Sequence, residues 1–162
     1  MSWLKKVKNS NKGDTQQRAI NYAFLLLKFR LRSEKELFQR LKDKKFDIAT
    51  IKKTLSFLKE KGFVNDEDFA CAWIESRLKK PFGLKRIKQE LKLKGIANEI
   101  IDKQISRIKE NYSEEELVLE IARNRLNKLK DLDAQKAKRR VFAYLARRGY
   151  SPEVICEALH QL

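Results

Sequence analysis

A single apolar pattern occurs three times along the chain, at separations of about fifty residues, and it limits the possible folds more than any other feature. Its matched positions are Leu37, Ile87 and Val141; Leu41, Leu91 and Leu145; Ile51, Ile101 and Ile155; Leu55, Ile105 and Leu159; and Leu58, Ile108 and Leu162. In the middle of each copy a stop residue is followed at once by an aromatic residue or Ile, in the pairs Lys45–Phe46, Gly95–Ile96 and Gly149–Tyr150. The spacing within each copy is helical. The pattern therefore predicts three copies of one helical module.

Each module is predicted to contain three helices, because two helices flank the turn and a further apolar helix precedes them. The modules cover residues 15–62, 63–110 and 111–162, after a flexible basic arm at residues 1–14. A unit of about fifty residues buries little surface alone, so the modules should stack on one another. We expect an all-α protein whose three tandem three-helix modules form an elongated, curved body.

Polar residues at the expected helix starts support this division. Ser33 is followed three residues later by Glu36, the spacing of a capping box in which each side chain bonds the backbone N–H of the other residue. Asp66 is predicted to cap the fourth helix. Acidic runs at residues 66–68 and 114–116 are expected to satisfy helix N-termini rather than to bind a metal ion.

The charge balance is strongly positive. The 162 residues include 38 Lys and Arg against 22 Asp and Glu, a formal net charge of +16. Such an excess repels itself unless a polyanion or an acidic surface neutralises it, so nucleic acid or an acidic protein is the expected partner. The alternative is a Lys-rich composition whose charged helix faces are merely solvated.

Basic residues concentrate on the fifth and eighth helices, which occupy equivalent places in the second and third modules. We predict that they contact the partner, although a surface ion pair between Arg86 and Glu90 is also compatible with their spacing. The predicted contact residues are Arg77, Lys79, Lys80, Lys85, Arg86, Lys88, Lys92, Lys136, Arg139, Arg140, Arg147 and Arg148. The role of Trp3, in the basic arm, stays open between packing on the body and stacking on a partner.

Several functions lack a signature in the sequence. Cys71, Cys156 and His160 do not have zinc-ligand spacing, and we interpret the cysteines as two small apolar side chains in a reducing cytoplasm. The chain contains no glycine-rich phosphate loop and no nucleophile motif. It shows no signal-peptide h-region and no apolar run long enough for a membrane span. We therefore expect a non-enzymatic protein without cofactor or metal.

Several motifs resemble those of RecX regulatory proteins. The central one reads Asp66-Glu-Asp-Phe69-Ala70, then Ser76-Arg77, then Gly83-x-x-Arg86-Ile87-x-Gln89-Glu90-Leu91-x-x-Lys94-Gly95-Ile96. Ser33-Glu34-x-Glu36-Leu37-x-x-Arg40-Leu41 is similar to the first module of the family, and Leu145-x-Arg147-Arg148-Gly149-Tyr150 to its third. The resemblance spans about Ala19 to Leu162. Pro81 and Lys45 depart from the family pattern in the turns.

The resemblance implies a monomeric regulator of RecA recombinase that acts in DNA recombination, DNA repair and the SOS response. Such proteins bind the RecA–DNA filament in its helical groove and inhibit strand exchange and ATP hydrolysis, so RecA and non-specific single- or double-stranded DNA are the implied partners. The alternative is a stand-alone helical DNA-binding protein that acts without RecA. The residues themselves leave the two open, although no dimerisation seam of a sequence-reading helix-turn-helix protein is apparent.

Overall fold

The computed structural model describes the backbone of residues 3–162 and the side chains of residues 14–162. In that part of the chain every regular element is an α-helix. The helices are α1 (Trp3–Leu27), α2 (Glu34–Asp43), α3 (Ile48–Glu60), α4 (Asp66–Leu78), α5 (Leu84–Leu93), α6 (Asn98–Lys109), α7 (Glu114–Asn127), α8 (Ala134–Arg148) and α9 (Pro152–His160). The first helix begins earlier than residue 15, where the first module was expected to start. The side chains of residues 1–13, and with them the predictions for Trp3 and for the basic side chains of the arm, lie outside the described residues.

The three turns that define the repeat share one backbone conformation. Lys45, Gly95 and Gly149 have φ angles of +62°, +84° and +87°, all in the left-handed region. In the first turn Phe46 N donates to the Leu41 carbonyl at 3.3 Å, and in the third Tyr150 N donates to the Leu145 carbonyl at the same distance. A side chain at such a φ costs about 1–2 kcal/mol. A lysine held there confirms that the turn, and not the residue type, is what repeats.

The described residues form two compact units. The first runs to Phe69 and includes Lys94–Ile96, and the second contains Ala70–Leu93 and Ala97–Leu162. The core of the first unit consists of Ala19, Ala23, Leu37, Leu41, Ile51, Leu55, Leu58 and Val64. In the second unit α7, α8 and α9 bury Val118, Ala122, Val141, Leu145, Tyr150, Ile155, Ala158 and Leu159. Most repeat positions predicted to be apolar and inward-facing are thus buried.

A joint in the first unit fixes the start of α2. Ser33 Oγ donates to the Lys94 carbonyl at 2.7 Å, and the N–H of Glu34 donates to Asp66 Oδ1 at 2.9 Å. The turn at Gly95 lies so close that a Cβ there would be 2.5 Å from the side chain of Lys35. The backbone groups at both ends of this joint are therefore satisfied by distant parts of the chain.

A joint in the second unit repeats this arrangement at the start of α5. The N–H of Gly83 donates to the Arg148 carbonyl at 2.9 Å, and the N–H of Leu84 donates to Glu114 Oε1 at 2.7 Å. Gly149 packs directly against Arg86. Gly83 and Arg148 are the repeat equivalents of Ser33 and Lys94, so the two joints are built alike.

Two capping predictions need correction. Asp66 does not cap α4: Asn65 Oδ1 accepts from the N–H of Glu67 at 2.8 Å, which leaves Asp66 for the joint. Ser33 Oγ does accept from the N–H of Glu36, at 3.2 Å, but the Glu36 carboxylate turns away to Arg30 and Lys94. In both cases the side chain that local spacing predicted to be a cap instead binds a partner that is distant in sequence.

Candidate binding surface

The basic flank of α5 is only partly free. Lys85 and Lys92 are exposed. Lys88 donates to Asp102 Oδ1 on α6 at 2.9 Å, and this ion pair holds the pKa of Asp102 below its ordinary value. Exposed ion pairs contribute little free energy, yet this pair already neutralises the charge of Lys88. Lys85 and Lys92 therefore carry most of the available charge on this helix.

Two predicted contact residues converge on one carboxylate. Arg77 Nε donates to Glu90 Oε2 at 2.6 Å and Arg86 Nε to Glu90 Oε1 at 3.0 Å, which confirms the ion pair that the spacing of residues 86 and 90 suggested. Trp73 Nε1 also donates to Glu90 Oε2, at 3.0 Å. We call Trp73, Arg77, Arg86 and Glu90 the Glu90 cluster. It links α4 to α5.

Electrostatics shows that the Glu90 cluster is a charge-assisted structural contact. Burial raises the pKa of Glu90, but the hydrogen bonds from Arg86, Arg77 and Trp73 outweigh it, and the pKa lies below its ordinary value. The Glu90 side chain is 19% exposed. Ion pairs whose acid is withdrawn from solvent and holds several donors are the ones that resist screening. Arg77 and Arg86 thus serve the fold whether or not they also meet a partner.

Phe82, in the turn before α5, collects guanidinium groups. The Cζ atoms of Arg86, Arg148 and Arg77 lie 4.1, 5.4 and 5.9 Å from the centre of its ring. A cation over an aromatic face gains about 0.5–1 kcal/mol at partly exposed sites. Arg148 is half-buried and also lies 5.1 Å from Tyr144. Arg148 therefore packs within the joint at the start of α5 and is only partly available at the outer surface.

The remaining predicted residues of the second and third modules face solvent. No described carboxylate forms an ion pair with any of them. These residues, which we call the unpaired cations, are Lys79, Lys80, Lys85, Lys92, Lys136, Arg139, Arg140 and Arg147. Lys85 lies within electrostatic range of Glu153, and Lys92 of Asp102, but the positive charges still outnumber such neighbours. This excess produces a positive surface potential that attracts anions at low ionic strength.

Arg125 is a further candidate contact residue that the sequence did not indicate. The Cζ atom of Arg125, on α7, lies 3.3 Å from the centre of the Tyr144 ring on α8. Together with Arg140 and Arg147 it lines a depression of about 300 Å³ without a carboxylate. A guanidinium stacked on an aromatic face keeps the N–H donors in its own plane available to an anion. Because Arg125 lies on another helix, periodicity within α8 carried no signal for it.

Other kinds of site find no support in the part of the chain that is described. It contains no group of three or more His, Cys, Asp or Glu side chains that could hold a metal ion. None of its helices has the length and apolar character of a membrane span. Neither Cys71, which is half-buried, nor Cys156, which is exposed, forms a disulfide.

Comparison with protein families gives matches over most of the chain. Residues 19–58 match the first three-helix domain of RecX, residues 65–103 the second and residues 113–159 the third. These matches coincide with the three copies of the repeat.

Individual relatives agree with these matches. The chain is 38% identical to the "Regulatory protein RecX" of Amycolatopsis mediterranei over 136 residues, which are 83% of this chain and 77% of that protein. It is 36% identical to that of Chlorobium phaeobacteroides over 147 residues, covering 90% and 94% of the two chains. The crystal structure of RecX from Lactobacillus salivarius superposes with a TM-score of 0.81 at 21% identity, covering 93% of this chain and 97% of the other. That likeness concerns the fold.

Proposed function

The chain belongs to the RecX family of regulatory proteins, and from that premise we propose that it binds RecA–DNA filaments and inhibits RecA strand exchange and ATP hydrolysis. It would act in this way in recombination, DNA repair and the SOS response. RecA would be its main partner, and DNA would be contacted through phosphates without regard to sequence.

The observation that carries this proposal is the set of unpaired cations. They lie on α5, on α8 and in the turn before α5, which are the elements that carry the central and third family motifs. A filament presents both phosphates and protein carboxylates, and lysine or arginine side chains that form no internal ion pair can bind either. The Glu90 cluster and the ion pair of Lys88 add rigidity beneath this surface but little free charge.

The test is a titration of the chain into RecA filaments on single-stranded DNA. We expect RecA ATP hydrolysis to fall and filaments seen by electron microscopy to shorten as the chain is added. Undiminished hydrolysis and unchanged filament length at saturating chain would contradict the proposal.

The charge requirement can be tested with a matched pair of double variants. Lys85→Glu with Lys92→Glu reverses two unpaired cations on α5. Lys42→Glu with Lys53→Glu makes the same change in net charge at exposed residues of α2 and α3. We expect the α5 variant to bind filaments about tenfold more weakly and the control to change binding by less than about twofold. Equal effects would mean that only net charge matters.

A stand-alone DNA-binding function is the second candidate, and the depression beside Arg125 is what favours it. Single-stranded DNA bound through phosphates should lose affinity with salt, with a slope of about −0.7 for each contact in a log–log plot. Binding to bare DNA should be compared with binding to RecA filaments over one salt series. If bare DNA binds as tightly as the filament, the regulator proposal fails and this one stands.

A further inference from the structure

A groove between α8 and α9 in the third module differs from its two repeat equivalents. It has a volume of about 500 Å³ and is lined by Lys138, Arg139, Phe142, Cys156, Leu159 and His160. Phe142 is half-buried and Leu159 is buried, so they form an apolar floor. No carboxylate is among the described residues that line it.

The equivalent groove of the first module is already neutral. It lies between α2 and α3, and Phe38 is the counterpart of Phe142 in its lining. There Lys59 Nζ donates to Glu34 Oε2 at 2.9 Å, and Glu60 accepts from the hydroxyl of Ser56 at 3.0 Å. The lining thus contains two acidic side chains, Glu34 and Glu60, and two basic ones, Lys52 and Lys59, so its charges balance.

The second module has no such groove floor. Lys88 stands where the other modules have phenylalanine, and Asp102 stands where the third has Cys156. The ion pair between Lys88 and Asp102 occupies this place with charged groups. Among the three copies, the third alone combines an apolar floor with a basic rim that lacks internal carboxylates.

The rim is also held in position. Lys138 Nζ donates to the Leu159 carbonyl at 2.8 Å, which fixes the ammonium group at the mouth of the groove and leaves its other donors for a partner. Arg139 is exposed beside it. An apolar floor inside a fixed positive rim complements an apolar side chain that is flanked by carboxylates.

We propose that this groove docks an apolar side chain from an acidic segment of RecA. The inference rests on the proposed function and deepens it: the unpaired cations would steer the chain to the filament, and this groove would provide the desolvated protein contact. The proposed occupant is protein; a DNA base stacked on Phe142 is the competing occupant, and protection of Cys156 by DNA alone would reveal it.

Cys156 gives the groove its own reporter, since the chain has only two cysteines. In a Cys71→Ser variant the rate of maleimide alkylation measures access to Cys156. We expect RecA–DNA filaments to slow alkylation at least tenfold and bare single-stranded DNA to slow it less than twofold. The matched control is Ser106→Cys in a chain with both native cysteines changed to Ser. It places a thiol on the exposed surface of α6, at the repeat equivalent of His160, and should be slowed less than twofold.

A second measurement uses Arg139→Glu, which reverses one exposed charge at the rim. It should weaken filament binding about tenfold, whereas Lys53→Glu should weaken it less than twofold. Filaments that sediment the chain but leave Cys156 fully reactive would overturn this inference and leave the proposed function standing. Equal shielding of Cys156 and of the Ser106→Cys thiol, or protection by DNA alone, would also overturn it. Absence of the chain from sedimented filaments would overturn both.

Discussion

The joint at Gly83 makes a sharp prediction, because a single added carbon should disrupt it. A Cβ at Gly83 would lie 2.2 Å from the Gly149 carbonyl oxygen and 2.4 Å from the Tyr150 nitrogen. Both are backbone atoms and cannot rotate away. Even a separation of 3.0 Å, which real Cβ contacts essentially never fall below, requires the two segments to part by most of an ångström.

The free energy follows from what that movement breaks. Forcing apart well-packed groups costs about 1–3 kcal/mol, and the hydrogen bond from Gly83 N to the Arg148 carbonyl contributes about 1 kcal/mol. The cap that Glu114 provides to Leu84 N contributes about 1 kcal/mol more. Alanine restricts the unfolded chain and returns about 0.5 kcal/mol. Gly83→Ala should therefore lower the free energy of unfolding by about 3 kcal/mol.

Gly62→Ala is the matched control. Gly62 also stands in a turn, with a φ of +72°, but nothing lies within 4 Å of the added carbon, so only the backbone cost of about 1 kcal/mol applies. Urea unfolding followed by far-UV circular dichroism reports on the helices of both units, so it registers Gly62 in the first unit and Gly83 in the second. With a slope of about 2 kcal/mol per molar urea, the midpoints should fall by about 1.5 M for Gly83→Ala and 0.5 M or less for Gly62→Ala. A larger loss for Gly62→Ala would refute the steric reasoning.

Three further predictions concern single side chains. Glu90→Gln should lower the free energy of unfolding by about 2 kcal/mol, since it leaves three donors of the Glu90 cluster poorly matched; an unchanged urea midpoint, as expected for the exposed control Glu120→Gln, would show that solvent screens the cluster. Lys45→Gly should raise the free energy of unfolding by about 0.5–1 kcal/mol, because glycine adopts the left-handed backbone conformation without the steric cost of a side chain. A lower melting temperature for this variant would contradict the prediction. Burial raises the pKa of Glu36, but hydrogen bonds from Arg30 and Lys94 lower it from 4.5 to about 2; the stability it provides is therefore complete above pH 5 and lost as pH falls toward 2. At pH 7 the free energy of unfolding of the unmutated chain should exceed that of Glu36→Gln by about 2 kcal/mol, allowing for partial solvent screening. This difference should shrink as the pH is lowered. A difference that stays constant with pH would show that the ionised Glu36 carboxylate is not its origin.

The repeat could be predicted from sequence because it depends on the spacing of residues that are close together in the chain. Apolar spacing places the inward faces of the helices, and the repeat offset placed Lys45 where glycine stands in the other copies. Its φ of +62° confirms that assignment, which residue propensity alone would have rejected. The helix start at Ser33 was predictable for the same reason, since its hydroxyl accepts from the N–H of Glu36, within one turn.

What sequence missed depends on contacts between helices. Periodicity shows which face of α5 is polar but not which helix stands opposite, so it could not show that Glu90 also accepts from Trp73 and Arg77 on α4. The same limit applies to Asp66, where two neighbouring residues could cap α4 and a distant N–H decided between them. Of the candidate site, the positions of the cations were predictable, but their internal partners were not. Which of them meet RecA or DNA stays a prediction.

The two joints occupy equivalent places in the repeat, but opposite kinds of substitution weaken them. The first depends on a hydroxyl, Ser33 Oγ, so removing one oxygen atom is enough to weaken it. The second uses a backbone N–H, at Gly83, which no side-chain substitution except proline removes; it is weakened instead by adding a carbon. A library of variants selected for folding should therefore retain a chemical group at position 33 and an empty space at position 83.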